Sequence, residues 1–429
     1  MSTQIIGIIL LFGILAILMT ISFPIAFSLG LSSLITALVL DINLFLIFQR
    51  MVISLNNFGF LALPFFILSA NVMTAGGVSD KLMKFADVLV GRIKGGTAMV
   101  NIVVSMLFGG IQGSSVGDVS SIGAMLIPAM ERQGYDKDYS VAVTVTSSVE
   151  GIIIPPSQNM IYYSMAAGGL SLSNLFLAGY VPGLLLTGAL MLVAGIIAKK
   201  RNYPVSGRYG IKEGIHAIFD SMIGLFTIVI IIGGIVAGIF TPTESAGVAT
   251  VYAILITFFV YKSMNMKKLF DVIKDSLGSL AIIMAVISMS SMFSYILSYL
   301  KVPVYVAEGL LTISQNPIIV MLMINIILFV AGMFMDMAVL IFMLTPVFLP
   351  VVTQIGYDPI QFGIIMILNL GVGLCTPPVG NSLFVGCAIA KLPLEKSVKA
   401  FLPFYIAMVI VLVMVILIPQ LTLSLPGLM

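Results

Sequence analysis

Two Pro-Pro pairs, Pro155-Pro156 and Pro377-Pro378, are the residues in this sequence whose type and spacing best suit chemistry. A proline inside a helix has no N–H and releases the carbonyl four residues before it. The first pair would release Gly151 and Ile152, and the second Gly373 and Leu374. Two successive prolines break the helix, and the freed carbonyls are hard oxygen ligands for a small cation such as Na+. The half-helix after each break opens on polar residues, Ser157-Gln158-Asn159 and Gly380-Asn381-Ser382. Its N-terminus offers free N–H groups and a partial positive charge, which suits an anion. A Gly-rich stretch stands upstream of each pair: Gly109-Gly110-Ile111-Gln112-Gly113-Ser114-Ser115 and Ala331-Gly332-Met333-Phe334-Met335-Asp336. One Pro pair alone would read as a kink. Two, each with such a partner, read as a site.

The candidate cation ligands are Gly110, Gly113, Ser114, Gly151, Pro155, Gly332, Asp336, Gly373 and Thr376. The candidate substrate-binding residues are Ser114, Ser115, Ser157, Gln158, Asn159 and Asn381. Asp118, Glu150, Pro156, Pro377 and Pro378 are assigned to shape and coupling. Carboxylates inside membrane segments are rare and usually functional. Asp118 and Asp336 could ligate cations or brace the Gly-rich tips through backbone hydrogen bonds, and bracing is favoured. Glu150 could carry a proton or hold the broken helix in shape. The single His216 cannot build a Ser-His-Asp triad, and Cys375 and Cys387 match neither a disulfide framework nor a zinc spacing. No catalytic residue is expected, and the chain does not read as an enzyme.

These residues must be positioned within a bilayer. Of 429 residues, 60% are hydrophobic and 9% charged, against about 25% charged in soluble proteins. The length suits roughly a dozen crossings of about 20 residues each. A net charge of +3 is too weak to suggest nucleic acid. The chain turns apolar at Ile5 without a basic leader, so no cleaved signal peptide is expected. Pro24 divides the apolar run 5–40 into two spans, and hydropathy adds spans near 59–76, 173–198, 216–240, 243–261, 277–298 and 400–425. Amphipathic stretches at 44–57, 79–94, 265–276 and 302–314 suit interfacial helices. A cytoplasmic loop carrying Lys199, Lys200, Arg201, Arg208 and Lys212 places all but Arg50 and Lys301 of the 20 Lys and Arg on the cytoplasmic side, as the positive-inside rule requires.

The halves repeat. Gly134-Tyr135-Asp136 matches Gly356-Tyr357-Asp358, Pro155-Pro156 matches Pro377-Pro378, and Asn159 matches Asn381, all 222 residues apart. Asp118 with Asp336 and Pro128 with Pro346 give 218, which a four-residue insertion near 350 would reconcile. The copies start from opposite sides of the membrane, as in many secondary transporters. The expected fold is therefore an all-α polytopic membrane protein. It is an inverted repeat with two re-entrant hairpins, 97–132 and 317–352, and two broken helices. No Lys or Arg falls in the expected centre, so an anionic substrate would be balanced by helix ends, amides and co-bound cations.

The motifs Gly113-Ser114-Ser115-Val116-Gly117-Asp118, Ile154-Pro155-Pro156-Ser157, Thr241-Pro242-Thr243-Glu244-Ser245-Ala246, Gly332-Met333-Phe334-Met335-Asp336 and Thr376-Pro377-Pro378-Val379-Gly380 together resemble the large membrane subunit of tripartite ATP-independent periplasmic (TRAP) transporters. The resemblance covers nearly the whole chain. The stretch from Ile154 to Tyr163 is most similar to members that carry sialic acid, with Gln158 where a His is expected. The resemblance implies a bacterial inner-membrane importer of organic acids, driven by Na+ with two or more ions. A periplasmic substrate-binding protein and a small four-helix membrane subunit, here a separate chain, would be its partners. It also implies an elevator in which 95–170 and 315–392 move against scaffold segments 1–94, 171–314 and 393–429. The rivals are a TRAP transporter for C4-dicarboxylates, a stand-alone Na+/dicarboxylate symporter of similar fold, and a channel or structural subunit.

Overall fold

The computed structural model of the chain describes residues 3–56, 58–206 and 211–428. For residues 3, 58, 59, 110, 111, 211, 212 and 428 it describes the backbone alone. Gly110 and Arg208, both named above, thus fall wholly or partly outside the described residues.

The first half opens with α1 (Thr3–Thr20) and α2 (Ile25–Val39), separated at Pro24, which stands as the N-cap of α2. Next come α3 (Leu44–Leu55), capped by the Asn43 side chain, and α4 (Ala62–Ala75). After α4 the chain turns by 72° into α5 (Val78–Val90). The first hairpin is α6 (Gly96–Gln112), α7 (Ser115–Asp118), a π-helical turn at Val119–Gly123 and α8 (Ala124–Arg132). The first broken helix is α9 (Lys137–Ser147) with α10 (Glu150–Ile153), then an irregular break, then α11 (Gln158–Ala166). The first half closes with α12 (Leu172–Lys200).

The second half repeats this order with α13 (Ile211–Ile228), α14 (Gly234–Val236) and α15 (Pro242–Leu255). Then follow α16 (Met266–Tyr299) and α17 (Val302–Ile313). The second hairpin is α18 (Pro317–Phe334) with α19 (Met337–Gln354). The second broken helix is α20 (Pro359–Leu374) with α21 (Asn381–Ala390). The chain ends with α22 (Leu394–Leu417) and the short α23 (Gln420–Leu423). Among the described residues, seven helices are long and apolar enough to cross a membrane, or eight if the bent α4–α5 pair counts as one.

Two expectations need correcting. The stretch 265–276 is not a separate interfacial helix. It is the start of α16, whose 34 residues span about 51 Å at 1.5 Å per residue. Asn265 caps that start by accepting the Lys268 N–H at 2.8 Å, and no proline interrupts the helix before Tyr299. The proposed insertion near 350 is also unnecessary. Helix α19 carries both Pro346 and Pro350, and Pro350 lies 222 residues beyond Pro128 in α8. Ser114 and Asp336, likewise 222 apart, are the equivalent N-caps of the second hairpin helices. Asp118 therefore lies one turn inside its helix and is not the counterpart of Asp336.

The halves interlock: α2 packs along α16 and α4 along α15. The hairpins and broken helices form the centre, with α6 on α9 and α10, α18 on α20, α11 on α19, and α21 on α9. On the side expected from the basic residues to face the cytoplasm, Lys81 of α5 pairs with Asp220 of α13 at 2.9 Å. Arg201, just past α12, pairs with Asp136 at 2.7 Å. The Tyr203 hydroxyl also donates to Asp136 at 2.6 Å. Led by that hydrogen bond, and with the Arg201 guanidinium beside it, the Asp136 carboxyl is held below its ordinary range.

Candidate substrate and cation site

Each hairpin crosses its broken helix through a pair of glycines. A Cβ on Gly109 would stand 2.0 Å from the Gly151 Cα, and one on Gly373 would stand 2.8 Å from the Gly332 Cα. Real Cβ atoms do not approach that closely, so the first crossing needs glycine on both sides and the second needs it at Gly373, while a Cβ on Gly332 would be a tight 3.3 Å from the Gly373 Cα. Polar contacts reinforce them. Asn101 donates to Thr144 at 2.6 Å in the first repeat, and Asn369 donates to the Asn325 side chain at 2.6 Å in the second. Gly151, Gly332 and Gly373, chosen above as carbonyl ligands, thus have close packing as a structural reason of their own.

Both breaks are laced to the hairpin tips. Both Pro-Pro peptide bonds are cis. At the first break, the Asn159 amide donates to the Gly113 carbonyl at 3.0 Å, and the Gln158 amide to the Gln112 carbonyl at 3.1 Å. Gly113 has a positive φ of 64°, and a Cβ there would lie 2.8 Å from the Gln158 nitrogen. Glycine serves both needs. At the second break, the Gly380 N–H donates to the Met333 carbonyl at 3.1 Å. The Thr376 hydroxyl donates to the Val372 carbonyl at 2.7 Å, and the Gly373 carbonyl accepts the Thr376 N–H at 2.9 Å.

The tips meet at a cavity of about 400 Å³. Gln112, Gly113, Ser114, Ser115, Gln158, Asn159 and Tyr162 line it from the first repeat, and Asp336 and Met337 from the second. Its opposite wall is Ile67, Ala70 and Asn71 of α4 with Ser279, Ile282 and Ile283 of α16. Among the described residues lining it there is no Lys or Arg. Of the candidate substrate residues, Ser114, Ser115, Gln158 and Asn159 line this cavity together. Ser157 is buried and donates instead to the Ile152 carbonyl, and Asn381 heads α21 without lining the cavity. Asn71, Ser279, Gln112 and Tyr162 were not singled out from the sequence. A polar Asn71 inside the apolar α4 is the signal that could have pointed to that wall.

Beneath the cavity wall lies a buried hydroxyl group of three. The Ser115 oxygen is 2.6 Å from that of Ser148 and 2.7 Å from that of Ser382, joining α7, the end of α9 and the start of α21. Asp118 is fully buried and accepts from Ser105 of α6 at 2.7 Å, so it braces the hairpin from within. Its other carboxylate oxygen has no hydrogen-bond partner among the described residues, and Glu150 is fully buried with the Thr187 hydroxyl nearby. Among the described residues, no group of three or more His, Cys, Asp or Glu could hold a metal ion. The donors at the tips are carbonyls, hydroxyls and the Asp336 carboxylate, a set that suits a hard alkali cation better than a transition metal.

Residues 12–421 match the family model for the DctM component of the tripartite ATP-independent periplasmic transporter. The chain is 42% identical to the uncharacterised protein YgiK of Salmonella typhimurium, over 98% of this chain and 97% of that one. It is 39% identical to a C4-dicarboxylate TRAP transporter large permease of Pseudomonas aeruginosa, over 86% of each chain. It is 35% identical to the sialic acid TRAP transporter large permease of Vibrio cholerae, over 89% of each. Among solved structures, the Alcanivorax borkumensis YdaH transporter shares the fold, with a TM-score of 0.59 and 13% identity, over 87% of this chain and 88% of that one.

Proposed function

The chain belongs to the family of DctM components of TRAP transporters, multi-pass proteins of the bacterial inner membrane, and on that footing we propose that it imports an organic acid by Na+ symport. The cavity between the hairpin tips and the α4–α16 wall carries this reading. It holds amides, hydroxyls and half-helix ends, and no described Lys or Arg. One negative charge can be balanced there by the N-terminus of α11 and by Na+ held at the tips. Residues for Na+ are the Gly113 and Gly151 carbonyls, the Ser114, Ser115 and Thr376 hydroxyls, and Asp336. The ion supplies positive charge where the chain has none of its own. The hairpins and broken helices form the moving body, and α4, α15 and α16 belong to the fixed one.

The amide-rich lining of Asn71, Gln112, Gln158 and Asn159 suits a polyhydroxylated sugar acid, and sialic acid is the first substrate proposed. The second reading is a C4-dicarboxylate, supported by the name of the Pseudomonas aeruginosa relative. A small four-helix membrane subunit and a periplasmic binding protein complete the system. The test is uptake into liposomes holding this chain and its small subunit, with the binding protein outside and a panel of labelled acids. N-acetylneuraminate accumulation supports the first reading, and accumulation of succinate alone overturns it in favour of the second. Accumulation that ignores the ion gradients would instead indicate a channel.

A further inference from the structure

A second cavity of about 450 Å³ lies at the same interface, further out. Arg50, Ser54 and Asn56 of α3 and its C-cap line it, with Ser290, Ser291 and Ser294 of α16 opposite. The end of α11, through Met165, and the middle of α19, through Phe342, complete it. Ser290 is 11 residues beyond Ser279 along α16, which places this cavity about 16 Å outward of the first. Arg50 is one of the two basic residues that the charge distribution leaves on the outer side.

Two observations mark this cavity as built for a ligand. Arg50 meets no carboxylate within ion-pairing distance among the described residues. Its guanidinium lies 5.7 Å from the centre of the Tyr295 ring. Ser290 is 1% exposed, and its hydroxyl has no hydrogen-bond partner among the described residues. The neighbouring hydroxyls are already engaged: Ser54 donates to Met51, Ser291 to Arg50 and Ser294 to Phe342, each at a backbone carbonyl. A buried donor left unused in the wall of a cavity that also carries a guanidinium without a carboxylate is matched by an oxyanion, which can accept from both.

We propose that this cavity is an outer anion site, where Arg50 and Ser290 bind the carboxylate of the incoming acid before it reaches the hairpin tips. The inference rests on the reading of the chain as an organic-acid importer. The inner cavity offers no fixed cation, so a cation at the outer site would raise the local concentration of the anion where it is loaded.

The experiment uses right-side-out liposomes of the full complex, with labelled N-acetylneuraminate and labelled succinate as probes. Arg50→Gln should raise the half-saturating concentration for uptake from the outer face about tenfold, as expected for a lost charge-assisted contact. Arg50→Lys should recover part of that loss. Ser290→Ala, buried and out of reach of a docking protein, should raise the constant by about threefold. The half-saturating concentration from the inner face, read by counterflow from loaded vesicles, should not change. Wild-type constants in both variants would overturn the site, as would equal shifts at the two faces, which indicate a structural role. Loss of the Arg50→Gln effect in liposomes without anionic phospholipid would overturn it in favour of a lipid phosphate. A wild type that accumulates neither acid would overturn the importer reading itself.

Discussion

Gly109 and Gly151 touch backbone to backbone, since a Cβ on the first would fall 2.0 Å from the Cα of the second. Gly332 and Gly373 repeat the relationship in the other half. Each crossing sets the height of a Gly-rich tip against the break in its partner helix. The two therefore fix the geometry of the cavity from both ends.

Alanine at these crossings should be costly. Gly109→Ala and Gly373→Ala are expected to lose about 1–3 kcal/mol, as overpacking does, and most of the uptake. Gly188→Ala and Gly247→Ala face open space and should behave as wild type in both respects. Thermal unfolding in detergent together with liposome uptake checks this. Equal behaviour of the four variants would mean that the crossings can relax.

Asn159 ties α11 to the first tip through the Gly113 carbonyl. Asn159→Ala should lower uptake about tenfold, the loss expected for one buried hydrogen bond together with its unpaired carbonyl. Asn71→Ala, on the opposite wall, should raise the half-saturating substrate concentration and leave the Na+ dependence at its wild-type value. Initial rates measured against both substrate and Na+ separate the two effects.

Thr376→Ala and Ser115→Ala remove hydroxyls assigned to Na+. Each should raise the Na+ concentration for half-maximal uptake by about threefold to tenfold, at normal protein abundance in the membrane. Wild-type Na+ dependence in Thr376→Ala would remove the second break from the cation site.

Asp136 and Tyr203 form a clasp beside the end of α12, and Asp136 is a carboxylate whose folded pKa is lowered. Such a group adds stability above its unfolded pKa, and that contribution is lost as pH falls through the folded value. The carboxylate is largely exposed, with a side-chain accessibility of 58%, so its ion pair with Arg201 is worth less than about 1 kcal/mol. Asp136→Asn should lower the unfolding temperature slightly at neutral pH. The gap from wild type should close at pH values below the usual carboxylate range.

Much of the fold was legible because each element leaves a local mark. Pro24 divides two spans, Gly113-Ser114 ends one hairpin helix and caps the next, and each Pro-Pro pair breaks a helix. What was not legible depends on contacts between distant residues. Ser115 and Ser382 are 267 positions apart, and only the folded chain joins them. The wall of Asn71 and Ser279 comes from scaffold helices whose polar residues look like isolated defects in apolar sequence. The mistaken pairing of Asp118 with Asp336 followed from matching residue types, whereas helix caps identify Ser114 as the true counterpart. The length of α16 was missed because an amphipathic start and an apolar continuation share one unbroken helix.

The most direct test of Na+-coupled import is uptake into liposomes holding the chain and its small subunit, with the binding protein outside and an inward Na+ gradient. Substrate should accumulate above its external concentration, and replacing external Na+ by K+ should abolish the accumulation. Equal accumulation in K+ would contradict the coupling and leave the oxygen-lined tips without their cation.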